Sequence, residues 1–498
     1  MPAKEGTDLE KERVDAEAGL RPAGAKDDPG RSDGEGGGTW GNHGFPHDGT
    51  PSWGITPVPE RLRVLGLFDT TLLWGNLSVS LLVIVAAAGL VPMLSFKQAL
   101  LAILIGAVAG NVLLGLAGAI GADARVPGMV LLRAPLGRRG SYAPTVLNVA
   151  QNLGWSTFEL IIISTAAAAL SQRVFGFEAR WLWALVFGAV SIALGLMGPV
   201  GFVRRYLRKF AAWAVAASIV YLTWWALDKA NLHHLWHTHG TGGVSLGQGV
   251  DLVIGNIISW TPLAADYTRF SRDRRSGFFG AGIGYFVPTL WCFGLGSLLV
   301  LERGLSEPAQ IPSAVAGGSA LAIVALLMLT VDESDEAFAD IYSTAVSIQN
   351  VVPWASQRLL IVLVGAAATG GAIAIDLGNY LTFLYLLGSV FVPLFAVLLA
   401  DWLTRGAHYE AEDVFSSPSV RWELLVCWFV GFAFYQWLSP VGPHWWTTIV
   451  NNLHPGHARW TASLPSFAVA FVLATIAGWL GSARAAARRS REPLARPR

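Results

Sequence analysis

The chain has 498 residues, of which 53% are hydrophobic and only 14% charged, with 21 Trp and a formal net charge of +1. Soluble domains carry about a quarter charged residues, so this composition excludes a soluble globular protein, and the near-zero charge gives no footing for nucleic acid. What remains is a polytopic membrane protein. Cys292 and Cys427 both lie in apolar runs and are expected to be buried free thiols, with no disulfide framework and no zinc pattern.

Residues 1–60 are rich in Gly, Pro, Asp, Glu and Lys and poor in aliphatics. Such a segment cannot bury enough apolar surface to offset chain entropy, so disorder is expected there. It has no signal-peptide pattern. A bilayer core about 30 Å thick needs about 20 apolar residues per helix. On that measure the sequence predicts twelve transmembrane helices, over 66–91, 98–121, 145–170, 180–199, 206–228, 249–268, 277–301, 318–345, 357–375, 379–404, 421–439 and 462–482. An Arg-rich tail, 483–498, follows and is also expected to be disordered.

Cations set the orientation. Arg125, Arg133, Arg138 and Arg139 lie in one loop, Arg204, Arg205, Arg208 and Lys209 in a second, and Arg269, Arg272, Arg274 and Arg275 in a third. With the tail, these fall on one side of a twelve-helix layout, which places both termini in the cytoplasm and the protein in the cell membrane.

Two of the helices echo each other. The first contains "WGNLSVS" (74–80) and the sixth "IGNIISW" (254–260), each with a Gly-Asn pair in mid-membrane. Gly and Asn are poor helix formers, and an Asn amide is costly in lipid. Matched interruptions in two halves mark the broken helices of inverted-repeat transporters, whose freed backbone groups bind ions and substrate. The bland alternative is a pair of packing glycines, each with a hydrogen-bonded Asn.

Charges inside the membrane are rare and usually face a cavity. The third helix places Trp155 and Glu159 one turn apart on one face, an aromatic plate beside an acceptor for N–H groups. The eighth ends in "VDESDEAFADIYS", whose Asp332, Glu333, Asp335, Glu336 and Asp340 span an arc of about 160° on a helix. The stretch can stay helical if this face looks into a cation-holding interior, which offers a basis for proton or sodium coupling. The bland alternatives are a packed Trp with a paired Glu, and a loop after a shorter eighth helix. Asp69 is expected to cap the first helix, Asp266 and Arg269 to be a gate pair or interface anchors at the end of the sixth, and Asp376 to be solvated. His233 and His237 are four apart but lack a Cys, Asp or Glu cluster, so no metal is assigned to them.

"NVAQNLGWSTFEL", "GNIISWTPLAADYTRFSR", "DEAFADIYSTAVSIQN" and "LLGSVFVPLFAVLLADWL" occur in that order. Together they resemble nucleobase–cation symporter family 1, the purine–cytosine permeases, over about Arg61 to Leu480. The resemblance implies an all-α, LeuT-like five-plus-five inverted repeat (61–228 and 249–404) with two extra C-terminal helices (421–482). It implies a substrate site in which Trp155 stacks, Glu159 hydrogen-bonds, and Ser80, Asn256, Ile257 and Asp340 stand close by. Ile257 occupies a place where the family often has an aromatic. It further implies a cation site from the carbonyls of Asn76, Val79 and Val331 with Ser334 and Asp335, where Asp335 replaces a hydroxyl residue and leaves Na+ or H+ open as coupling ion. Glu336, Asp266 and Arg269 are candidates for gating or coupling.

The function expected is a secondary active transporter that imports a small planar nitrogen heterocycle, foremost a nucleobase such as cytosine or a purine. Hydroxymethylpyrimidine or a thiamine-like compound, allantoin and hydantoin are the alternatives, and a cationic or amine-bearing substrate would make better use of the acids. A membrane enzyme is disfavoured because the helices hold no HExxH, no GxSxG and no clustered His–Asp set. Paired broken helices also favour a gated site over an open channel. No cofactor is expected beyond the coupling ion, and no feature sets an oligomeric state.

Overall fold

A computed structural model describes residues 54–202, 212–228, 230–305, 310–378, 380–454 and 460–489. Most of the expected disordered leader, the cationic loop at 204–209 and the last nine residues lie outside the described residues. Residues 54–60, assigned by composition to the leader, are folded. Val58 is buried, and its N–H donates to the Arg125 carbonyl at 3.0 Å.

The described residues are helical and contain no β-strand, only an isolated bridge between Leu65 and Ser271. We number the main helices α1 (Leu67–Asn76), α2 (Leu81–Ala86), α3 (Phe96–Ala124), α4 (Tyr142–Phe175), α5 (Arg180–Phe202), α6 (Ala212–Leu227), α7 (Leu246–Ile258), α8 (Thr261–Thr268), α9 (Arg274–Arg303), α10 (Ala320–Asp332), α11 (Ser334–Val351), α12 (Gln357–Ala374), α13 (Tyr380–Thr404), α14 (Trp422–Leu438) and α15 (Ser463–Arg489). Seven are long and apolar enough to cross a bilayer, or eight if the bent pair formed by α1 and Leu81–Gly89 is one span; α6 and α14 are apolar but shorter. This is a multi-pass membrane protein. The start of the Arg-rich tail continues a helix, since α15 runs on to Arg489.

Local chemistry sets the helix ends. Asp69 caps α1 as expected, accepting from the Gly66 N–H at 3.4 Å. Ser95 and Gln98 form a capping box at the start of α3. Asp273 caps α9 by accepting from the Ser276 N–H at 2.7 Å, which holds its carboxyl below the usual range. The expected single eighth helix is interrupted at Glu333, and the helical conformation continues to Val351, so the acid stretch is not a loop. The break in the sixth helix falls at Ser259–Trp260, not at Asn256–Ile257, which complete α7. Pro262, inside the first turn of α8, suits a helix start and not a helix interior.

Two groups of helices result. In one, α9 crosses α3 and α1, while α7 and α8 lie on α3. In the other, α4 packs with α11, α5 and α12; α13 joins α15, α7 and α14 at the side. Helices in lipid associate through close backbone approach at small residues. On α3 this is visible residue by residue: Gly106 faces Val253, Gly110 faces Ile257, and Gly115 faces the Phe278 carbonyl. Leu101, Leu104, Ile105, Val108 and Val112 of the same helix are exposed, forming its outer apolar face.

One tight crossing puts Gly118 of α3 against Gly277 of α9, where a Cβ on either residue would collide with the other's carbonyl oxygen. Backbone atoms cannot move aside as a side chain can. Gly118→Val is therefore expected to cost about 1–3 kcal/mol, read as a lowered melting temperature of the purified protein. Gly294→Ala, at a position with open space around it, should leave that temperature unchanged.

Candidate substrate and cation site

A break in a membrane helix frees backbone groups that lipid cannot satisfy. Between α1 and α2 the freed donors are met by one carboxylate. Glu333 accepts from the N–H groups of Leu81 at 2.7 Å and Leu82 at 3.3 Å, and from the Ser80 hydroxyl at 2.7 Å. Ser80 also caps α2 through the Leu82 N–H at 3.0 Å. On the other side of the break, the Asn76 amide donates to Asp332 at 3.1 and 3.2 Å and to Asp335 at 2.7 Å. The interruptions of the first and eighth helices are thus bonded to each other.

Glu333 also draws α4 in. Carboxylate oxygens of Glu159, Glu333 and Glu336 lie within 4.8 Å of one another, all buried. Like charges this close cannot all stay ionised without a cation or shared protons among them. Asp332, Asp335 and Asp340 are buried as well, so the whole acid face of the eighth helix looks into the bundle as expected. Glu159 Oε2, Glu336 Oε1, Asp335 Oδ1 and the Ser334 hydroxyl are buried without a hydrogen-bond partner.

Trp155 is packed edge-on against Tyr380 and Phe383, with ring centroids 5.9 and 5.5 Å away, and its indole N–H has no partner. Asn152, one turn before Ser156 and two before Glu159, has neither amide atom paired. The freed Ser259 carbonyl in the sixth helix accepts from Gln151 of α4 at 3.0 Å. Asn256 is buried with its amide oxygen unpaired.

Ile257 does not join this constellation. Its side chain packs against Gly110 of α3. The aromatic that stands in the sixth-helix break is Trp260, three residues on, whose ring lies 5.9 Å from both Trp74 and Tyr285.

Among the expected cation ligands, Asn76, Ser334 and Asp335 meet at the two interruptions. The Asn76 carbonyl already accepts from the Val79 N–H at 3.0 Å. The Val331 side chain is exposed, so only its main chain can contribute.

Asp266 and Arg269 do not form a carboxylate–guanidinium pair. Asp266 accepts from the Gly128 N–H at 2.9 Å. Arg269, fully buried, donates to the Tyr342 hydroxyl at 3.0 Å, the Gly54 carbonyl at 3.1 Å and the Asp266 carbonyl at 3.2 Å. It thereby ties the end of α8 to α11 and to the folded start of the chain. Nearby, Arg133 donates to the Asn350 side chain at 2.7 Å and its carbonyl at 2.8 Å, and burial pulls its guanidinium below the usual value.

Asp376 is exposed in its turn, and Cys292 and Cys427 are buried and free. Among the described residues the one group with metal-ligand spacing is the glutamate cluster; His233 and His237 are not in it.

Two features escaped the residue-level reading. Glu333 was one of five acids with no role of its own, since sequence does not show what it reaches. The ion network at Asp123 and Asp401 was missed altogether. Asp123 accepts from Arg274, His408, Trp402 and the Tyr409 N–H; Asp401 accepts from Arg405, Arg421 and the Tyr409 hydroxyl. A carboxylate near the end of each of two apolar helices, with arginines in the loops, was the available signal.

A family model described as permeases for cytosine/purines, uracil, thiamine and allantoin matches residues 57–456. The chain belongs to this permease family. The cytosine permease of Escherichia coli (strain K12) is 24% identical over 358 residues, covering 70% of this chain and 81% of that one. The hydantoin permease of Microbacterium maritypicum is 23% identical over 385 residues, covering 73% and 78%. In fold, the chain is similar to Mhp1, a nucleobase-cation-symport-1 family transporter solved closed with bromovinylhydantoin bound. The TM-score is 0.69 at 20% identity, over 87% of this chain and 96% of that one. MhsT in complex with L-phenylalanine follows at 0.51 and 14%, over 82% and 98%. The fold is thus LeuT-like, and the permease family marks a transporter and not an enzyme.

Two stability outcomes follow from the bonds above. Glu333→Ala leaves the Leu81 N–H and the Ser80 hydroxyl without their acceptor and should cost about 1–3 kcal/mol, while Glu333→Gln, which keeps an acceptor, should melt closer to wild type. Asp401→Asn weakens the bonds to Arg405, Arg421 and the Tyr409 hydroxyl while Arg405 keeps Asp413 and Arg421 keeps Glu423, so it should cost about 1.5–3 kcal/mol, checked by thermal unfolding in the same detergent.

Proposed function

We propose that this permease is a cation symporter importing a small planar nitrogen heterocycle, foremost a nucleobase such as cytosine or a purine, by alternating access. The observation that carries the reading is the meeting of two interrupted helices and α4 at one buried place lined with unpartnered polar atoms. Such atoms are costly unless a ligand completes them. Trp155 supplies the stacking surface, Glu159 and Asp340 the directional acceptors, and Ser80 and Asn256 the flanking polar contacts. Ile257 is left out, because it faces α3.

The coupling ion, Na+ or H+, sits where Asn76, Val79, Val331, Ser334 and Asp335 converge. Support comes from the unpaired Ser334 hydroxyl and Asp335 oxygen beside the Asn76 amide. Glu336 couples this place to the substrate, and Arg269 with Asp266 holds the Arg-rich face shut. We read the chain as twelve spans, with repeats at 61–228 and 249–404 and two added helices at 421–482, both termini facing the cytoplasm across the cell membrane. A hydantoin or related ureide is the second reading, favoured by the hydantoin permease relative and the hydantoin held by Mhp1.

Uptake of labelled cytosine by transporter-deficient bacterial cells tests the reading, with unlabelled adenine, uracil, allantoin and hydantoin as competitors. Saturable uptake blocked by cytosine and adenine is expected, and it should fall to background in the Trp155→Ala, Glu159→Ala double variant at equal membrane expression. Uptake blocked by hydantoin alone would move the substrate to the second reading. Full activity in the double variant would remove these residues from the site.

A further inference from the structure

Resting on that transporter reading, we infer that the Glu159–Glu333–Glu336 cluster is a counter-ion site that selects planar ring amidines, bound as amidinium cations, over neutral oxo rings. Charge balance makes the first part of the case. Six carboxylates, Glu159, Asp332, Glu333, Asp335, Glu336 and Asp340, are buried together. Among the described residues none of them is ion-paired to a Lys, Arg or His. Asn76 and the proposed coupling ion attend to Asp332 and Asp335. Glu333 is held by three donors at the helix break, the natural setting of an anion. Asp340, one turn beyond Glu336, is buried without an ion pair among the described residues. Between Glu159 and Glu336 a shared proton or a bound cation is still needed, and a ligand that carries that proton as an amidinium supplies both.

Unsatisfied atoms of the cluster itself and of the same stretch of α4 make the second part. Glu159 Oε2, Glu336 Oε1 and the Asn152 amide oxygen are buried acceptors without donors. An amidinium presents only donors, in a plane, and two of its N–H groups match two carboxylate oxygens. Trp155, one turn before Glu159 on the same face of α4, adds the ring that a flat cation favours. A metal ion would use the carboxylates but would leave the aromatic wall of Trp155, Phe158, Tyr380 and Phe383 without purpose. Cytosine and adenine carry an amidine edge that becomes an amidinium on taking up one proton; uracil and hydantoin do not.

The test compares benzamidine, charged at neutral pH, with its neutral isostere benzamide, by calorimetric titration of the full chain in lipid nanodiscs. Benzamidine is expected to bind at least about ten-fold more tightly, and cytosine to displace it. Glu336→Gln and Glu159→Gln should each bring the two ligands to within about three-fold, at an unchanged melting temperature. The wild-type comparison needs no variant, so a Gln variant that fails to fold does not decide the matter. Equal or tighter binding of benzamide, or no binding of either, overturns the inference. So does stoichiometric binding of manganese that Glu336→Gln abolishes while leaving benzamidine unaffected. Cytosine uptake without an amidinium preference overturns this inference and leaves the transporter reading standing; a benzamidine preference without uptake of any heterocycle overturns the transporter reading instead.

Discussion

The Glu333 carboxylate at the first-helix break is the contact on which the rest of the site depends. A helix interrupted within a membrane must find partners for its freed N–H groups, since lipid supplies none. Glu333 meets the Leu81 and Leu82 donors and the Ser80 hydroxyl at once. Because it stands at the interruption of the eighth helix, this one residue fastens two breaks together. Glu336 lies three residues on, in the first turn of α11, and Glu159 of α4 is brought to within 4.8 Å. An acid that stabilises the fold therefore also creates the electrostatic demand that a ligand must answer.

Besides the Glu333 and Asp332 bonds at the two breaks, specific polar bonds join the two helix groups. Asn76 reaches Asp335, Gln151 reaches the Ser259 carbonyl, the Tyr267 hydroxyl reaches the Ala339 carbonyl at 2.9 Å, and Arg269 reaches Tyr342. Within the group built on α3 and α9 the helices also meet through close backbone contacts at glycines. Close backbone packing tolerates little displacement, whereas single hydrogen bonds exchange at modest cost. Rocking of one group against the other is the motion such a division permits, and the proposed alternating access uses that division.

Some of the candidate site was legible residue by residue. Trp155 and Glu159 share a face because they are four apart, and the acids of the eighth helix share an arc because helical periodicity demands it. Asn76, Ser80, Ser334 and Asp335 cluster because both interruptions do. The misplaced residues failed for one reason. Gly255 and Asn256 look like a helix break but complete α7, since Gly255 is needed for a close approach to the Leu384 carbonyl and the break waits for Ser259 and Trp260. Ile257, neighbour to both, is turned toward Gly110 by the same register.

The amino-acid sequence by itself determined the class of molecule, an all-helical multi-pass membrane protein with buried acids, because hydropathy and periodicity are local properties that no neighbour can reverse in a bilayer. It also carried the permease family in four ordered motifs. Only the tertiary structure decided which acid does what. Glu333 and Glu336 differ by less than a turn in sequence, yet one accepts three donors and the other keeps an oxygen unpaired. Likewise Arg269 turns from the nearby Asp266 carboxylate to Tyr342 and Gly54. Partners of this kind lie some 70 to 250 residues away in the chain, and spacing along a helix holds no record of them.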